Sequence, residues 1–154
     1  EESLKRELFR AKRKKTQLAV FMIDIDNFKD INDEFGHSTG DSILRLMSQC
    51  LTENIRQEDI ACRYGGEEFT IILLESSAET AWNRAETLRK SIENLSHRYK
   101  KPIAKKITVS IGISLFPQHG QTAKSLINAA DRALYLAKNQ NRNQVVMSQK
   151  ADEK

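Results

Sequence analysis

The stretch DIACRYGGEEFTIILL (59–74) decides how this chain folds. DIAC and TIILL read as buried or half-buried strands, and the Gly65-Gly66 pair between them is a strong two-residue hairpin signal. Glu67 and Glu68 follow the turn directly. A solvated turn would carry such acids, and so would a turn that grips a metal ion or a ligand. The choice depends on what else reaches the hairpin tip.

Upstream, QLAVFMIDI (17–25) is an apolar, β-branched run that reads as a central strand, and Asp24 lies where it leaves the sheet. With that strand beside the hairpin, Asp24, Glu67 and neighbouring acids converge on one edge. Two unit charges ~4 Å apart repel by ~4 kcal/mol at an effective dielectric of about 20. A marginally stable domain does not accept that without compensation. A divalent cation reverses the sign, and oxygen ligands at strand and loop ends suit Mg²⁺. The Gly-Gly turn has no side chains, so a phosphate or ribose can approach its backbone closely. Asp26 has a separate reading as N-cap of a helix that begins at Asn27 and runs to about Phe35.

The remaining segments extend this core. A turn is expected at GHSTG (36–40) and a helix over 41–55, where Ile43, Met47 and Cys50 keep helical spacing. Ala78, Ala81, Trp82, Ala85, Leu88 and Ile92 predict another helix, with Trp82 placed in the core. KKITVSIGISLF (105–116) reads as a strand, Leu126 to Ala137 as a buried helix N-capped by Thr122, and QVVMS (144–148) as an edge strand. The order α, β, α, α, β-hairpin, α, β, α, β predicts helices crossing one face of a mostly antiparallel sheet, an α+β class.

Composition narrows the function classes. A chain of 154 residues reads as one domain. Its apolar runs are too short for a membrane segment, and no export signal opens it. Much of the +4 net charge comes from KRELFRAKRKK (5–15), a basic amphipathic helix with Leu4, Leu8 and Ala11 on one side. A solvated face or a lead-in from an upstream segment explains it better than a nucleic-acid arm, so no nucleic-acid partner is expected. Cys50 and Cys62 lack metal or redox spacing and read as buried thiols in a reducing, cytoplasmic setting.

FMIDIDNFKDINDEFGHSTGDSIL (21–44) resembles the strand–helix–loop–helix signature of the GGDEF family of bacterial diguanylate cyclases. RYGGEEF (63–69) is similar to its naming motif in the Glu variant. ITVSIGIS (107–114) and ADRALYLAKNQNRNQV (130–145) resemble its closing strand and helix. The resemblance implies a GGDEF domain over residues 1–148 and a frayed tail at 149–154. Its fold would be similar to the polymerase palm and class III nucleotide cyclases, a central sheet flanked by helices. The implied reaction condenses two GTP into cyclic di-GMP and two pyrophosphates at the interface of a homodimer, with Mg²⁺ (or Mn²⁺) as cofactor.

Carried over by position, the resemblance implies Asp24, the Ile25 carbonyl and Glu67 as metal ligands. Glu67 is also the candidate to assist deprotonation of the 3′-hydroxyl, and Glu68 is either a second-metal ligand or structural support. Lys29 would face the phosphates, and Lys138 and Arg142 would hold the triphosphate from the far side. At a helix C-terminus those two cations have a plain reading as well, through the helix dipole. Asn32 and Asp41 match the guanine-reading pair, since a carboxylate accepts from guanine N1–H and the exocyclic amine. His37, Gly65 and Gly66 would lie against the nucleotide.

Arg56 and Asp59, in RQED, resemble the RxxD product-binding inhibitory site. The family's second arginine falls at Thr87 here, flanked by Arg84 and Arg89, which weakens that site. The family's DxLTGLxNR lead-in is absent, so the chain reads as an N-terminally truncated fragment lacking an upstream regulatory or sensor region. Asn141 replaces the usual Gly and suits a left-handed helix stop. The rival reading within the family is a catalytically silent domain binding GTP or cyclic di-GMP as a receptor. Silent members usually lose the signature acids, which remain here. An RNA-binding α+β domain is the other rival; its sheet would interleave aromatics with cations, not two glutamates.

Overall fold

A computed structural model describes residues 1–95 and 106–150. The apolar run becomes β1 (Leu18–Ile25), in which every residue is buried. Such a strand has no solvent face because helices cover both sides of the sheet. Ala19, Phe21, Ile23 and Ile25 enter one core, whereas Leu18, Val20 and Met22 enter a second. This corrects the expectation of helices on one face: an unbroken apolar strand needs cover on both.

β1 is central in the sheet order β2-β3-β1-β4-β5, with β2 (Ile60–Gly65), β3 (Glu68–Leu74), β4 (Val109–Phe116) and β5 (Val145–Met147). Every pairing is antiparallel except β4 with β5. The first core is closed by α2 (Phe28–Phe35), α3 (His37–Asn54) and α4 (Ala78–Glu93). The second is closed by α1 (Glu2–Lys14) and α5 (Ala123–Asn139). α1 buries Leu4, Leu8 and Ala11, the stripe its spacing predicts, and also Glu7, which pairs with Arg6 and Arg10. α5 starts in a capping box in which Thr122 Oγ1 accepts from the Ser125 N–H at 3.1 Å.

Four local expectations change. α3 begins at His37 rather than at 41, because Gly36, at φ 87°, alone breaks the chain between α2 and α3. Trp82 is 39% exposed: the buried stripe of α4 is Ala81, Ala85, Leu88 and Ile92, and Trp82 lies a further ~100° round the helix. Cys62 is exposed because β2 is an edge strand whose outer residues lack a covering helix, whereas Cys50 is buried in α3. The strand predicted from 105 is observed from Val109; Lys105 and residues 151–154 of the expected tail lie outside the described residues.

Candidate functional site

The sheet register carries the two acidic segments to one place. Asp24 pairs with Glu68 across β1 and β3, and the Ile25 N–H donates to the Glu67 carbonyl at 3.3 Å. β1 then stops. The Asp26 N–H donates to the Thr108 carbonyl at 2.9 Å, and Asn27, in a left-handed conformation at φ 54°, turns the chain into α2. On the opposite side α5 delivers Lys138 from its last turn, and its Nζ donates to Asp24 Oδ2 at 2.7 Å. Arg142 follows from the loop after α5.

Asp24, Ile25, Lys29, Glu67, Lys138 and Arg142 thus line one cavity of about 310 Å³. Burial pushes the Asp24 carboxyl above the usual carboxylate range; the Lys138 hydrogen bond and charge oppose this, and repulsion from Glu67 and Glu68 adds to it. The buried acid is stabilised by the cation beside it.

Among the described residues no group of three or more His, Cys, Asp or Glu side chains is gathered to hold a metal unaided. The donors that border the cavity are oxygens, from Asp24, Asp26, Asp30, Glu67 and the strand-end backbone at Ile25. That set fits Mg²⁺, which is commonly held by one or two carboxylates together with substrate phosphates and water. Three cations on the cavity wall match a polyanionic ligand.

Other predicted residues stand apart from this cavity. The hairpin tip is Gly66-Glu67, one residue later than the expected Gly65-Gly66 turn: an irregularity between Arg63 and Gly65 shifts the register, Gly65 ends β2 paired with Glu68, and Arg63 Nε donates to the Gly66 carbonyl at 2.8 Å. Asn32 lies at the α2–α3 junction against Gly40, beside which Asp41 is exposed; His37 is exposed in the first turn of α3. A Cβ on Gly40 would stand 1.9 Å from Asn32 Oδ1, so this glycine makes room for the Asn32 side chain.

At the RxxD segment, Arg56 is exposed and the Asp59 side chain is 0% exposed. Asp59 Oδ2 accepts from the Arg56 N–H at 3.0 Å and pairs with Arg84 at 2.8 Å; Oδ1 accepts from the Leu74 N–H at 3.1 Å. The arginine that α4 brings to this turn is therefore Arg84. Thr87 instead turns its hydroxyl back to the Asn83 carbonyl of its own helix.

Asp26 is not the helix cap expected of it. Asn27 holds the N-cap position, and Asp26 is buried with its carboxylate turned into the protein. It accepts from Thr108 Oγ1 and Ser110 Oγ, each at 2.7 Å, and from the Asn143 N–H at 3.0 Å. The hydroxyl pair at i and i+2 in ITVS was the available signal, since alternate strand residues share a face.

The arrangement is that of an α+β domain which opposes acids to cations at one end of its sheet. Residues 1–144 match the family described as "Diguanylate cyclase, GGDEF domain", and the chain belongs to that family. It is 43% identical over 141 residues to diguanylate cyclase DosC of Escherichia coli (strain K12), covering 92% of this chain and 30% of that relative. The chain thus spans about a third of the length of the curated relatives it matches. The active GGEEF domain of a diguanylate cyclase from Vibrio cholerae aligns with TM-score 0.87 and 31% identity, covering 97% of this chain and 94% of that one. The coiled coil and GGDEF domain of DgcB from Caulobacter crescentus, in complex with c-di-GMP, aligns with TM-score 0.87 and 30% identity over 96% of this chain and 78% of that one. Among the described residues no helix is long and apolar enough to cross a membrane.

Proposed function

We propose that this chain is a diguanylate cyclase domain that condenses two GTP into cyclic di-GMP, with two copies meeting so that each presents one GTP to the other. The observation that carries the reading is the single cavity lined by Asp24, Glu67, Lys29, Lys138 and Arg142. Acids alone would repel a triphosphate, and cations alone would not hold a metal; the pairing suits a metal–triphosphate ligand.

Asp24, the Ile25 carbonyl and Glu67 would hold Mg²⁺ (or Mn²⁺), which when bound neutralises phosphate charge. Lys138 and Arg142 hold the triphosphate, and Lys29 faces the charge that develops as the leaving group departs. Asn32 and Asp41 read guanine from the α2–α3 junction, with His37, Gly65 and Gly66 alongside the nucleotide. Glu67 takes the proton of the partner nucleotide's 3′-hydroxyl. The 3′-oxygen then bonds to the α-phosphorus, and the bond from that phosphorus to the bridging oxygen of pyrophosphate breaks. The same step in the opposite direction closes the ring. Glu68, across from Asp24 in the sheet, supports the site or binds a second metal ion.

Arg56 forms the exposed arm of a product-binding inhibitory site, with Asp59 and Arg84 shaping its base. GTP is drawn from the cytoplasm, where the reaction belongs. Incubating the protein with GTP and Mg²⁺, followed by mass analysis, gives cyclic di-GMP for the wild type and none for Glu67→Gln. Bound but unconverted GTP in the wild type would mark a receptor, and product from Glu67→Gln would overturn the assigned base.

A further inference from the structure

We propose that Asp26, a buried acid at the wall of the same cavity whose oxygens are both hydrogen-bonded within the protein, is a positioning residue that ties the metal-binding turn to the loop presenting Arg142. The proposal rests on the cyclase reading of the cavity. Asp26 follows Ile25 directly and lies two residues after Asp24, so its anchorage is that of the turn bearing the proposed metal ligands.

Each Asp26 oxygen is engaged. Thr108 Oγ1 and the Asn143 N–H both donate to Oδ2, and Ser110 Oγ donates to Oδ1. The carboxylate therefore binds β4 and the segment after α5 at once. That segment needs holding. Asn141, Arg142 and Asn143 have φ of 82°, 58° and 44°, three successive non-glycine residues in the left-handed region. Such residues persist only when their surroundings over-determine them. On one side the Arg142 N–H donates to the Ala137 carbonyl at 3.0 Å. On the other, Asp26 takes the Asn143 N–H, while the Asn143 side chain accepts from Arg89 at 2.9 Å and donates to Glu93 at 3.1 Å. Arg142 lies between these anchors and lines the cavity. Without Asp26 the loop loses the Asn143 N–H bond that connects it to the Asp24 turn, and the arginine loses its fixed distance from the proposed metal ligands.

The test compares Asp26→Ala, Asp26→Asn, Arg142→Ala and the double variant Asp26→Ala/Arg142→Ala. Dissociation constants are measured for a non-hydrolysable GTP analogue, for guanosine and for Mn²⁺, with a melting temperature for each variant. Asp26→Ala is expected to weaken the analogue about tenfold, leave guanosine affinity unchanged, weaken Mn²⁺ less than the analogue, and add nothing to the analogue loss in the Arg142→Ala background. Asp26→Asn, an isostere whose neighbouring hydroxyls can reverse, is expected to restore most of the loss. Equal losses for analogue and guanosine, additive losses in the double variant, or a Mn²⁺ loss larger than the analogue loss would overturn the proposal; the last would make Asp26 a metal ligand. If Asp26→Ala does not fold, Asn143→Ala cuts the same loop from α4 and is expected to show the same non-additivity with Arg142→Ala; additivity there sinks the idea. A wild type that binds the analogue but forms no cyclic di-GMP sinks the cyclase reading alone, because the coupling is read from binding.

Discussion

Gly40→Ala isolates nucleotide recognition from the metal site. The added Cβ would meet Asn32 Oδ1 at 1.9 Å, Asn32 Cγ at 2.9 Å and Phe28 Cζ at 3.2 Å. Asn32 Oδ1 has to retreat by roughly 1.5 Å to reach ordinary contact, and as the end of a half-exposed side chain it is the part that yields. Leaving its rotamer costs about 0.5–1.5 kcal/mol. Replacing a helix-interior glycine by alanine returns about 0.5–1 kcal/mol, so folding stability changes little. A guanine hydrogen bond lost at Asn32 costs about 1–3 kcal/mol, or roughly 5- to 150-fold in affinity. The assay is pyrophosphate release at varied GTP and ATP, beside a thermal melt. KM for GTP should rise within that range, the preference over ATP should shrink, and the melting temperature should move by at most about 5 °C. An unchanged KM with unchanged base preference refutes the assignment of Asn32. A melt lowered by about 10 °C or more refutes the claim that the side chain yields rather than the helix packing.

Other perturbations test separate parts of the site. In metal-free protein, Asp24 has a pKa raised chiefly by burial, so its proton binds the folded chain more tightly than the unfolded one. That contribution to stability is full below the unfolded pKa and is lost as pH rises through the raised folded pKa. Denaturation at stepped pH in a chelator should show the slope above the ordinary carboxylate range, and Asp24→Asn should flatten it; an unchanged slope refutes this. Glu93 is held low, chiefly by its Lys106 hydrogen bond, so its contribution is lost instead as pH falls through the lowered value. Glu93→Gln should therefore remove a slope only on the acid side. Arg84→Ala leaves the buried Asp59 carboxylate with backbone donors alone and should cost about 2–3 kcal/mol in urea denaturation. Arg56→Ala should keep initial turnover while abolishing its decline as product accumulates; unchanged sensitivity to product removes the inhibitory site.

Much of the fold could be read from local pattern. The hairpin itself, the β1 run, the buried stripe of α1, the Thr122 cap and the edge strand at Val145–Met147 each follow from short-range rules, whereas the exact turn residues, Gly66-Glu67, and the parallel pairing of the edge strand do not. The errors share a cause. Apolar character alone places Trp82 and Cys62 in the core, but exposure depends on which arc of a helix or which strand of a sheet receives cover. The helix-cap reading of Asp26 weighed only its chain neighbours, whereas its partners lie on β4 and beyond α5.

The same division holds for the site. Residue chemistry is a property of the chain, so the acids of MIDID and GGEE, and the cations at Lys138 and Arg142, are fixed by sequence order. Their meeting is not. It requires β1 to pair with β3 in the register that sets Asp24 across from Glu68, and α5 to cross the sheet so that Lys138 reaches Asp24. Likewise only the folded chain puts Arg84, rather than the residue at position 87, against Asp59. Charges act through space and fall off with distance, so their effect is set by tertiary contacts that no local pattern specifies.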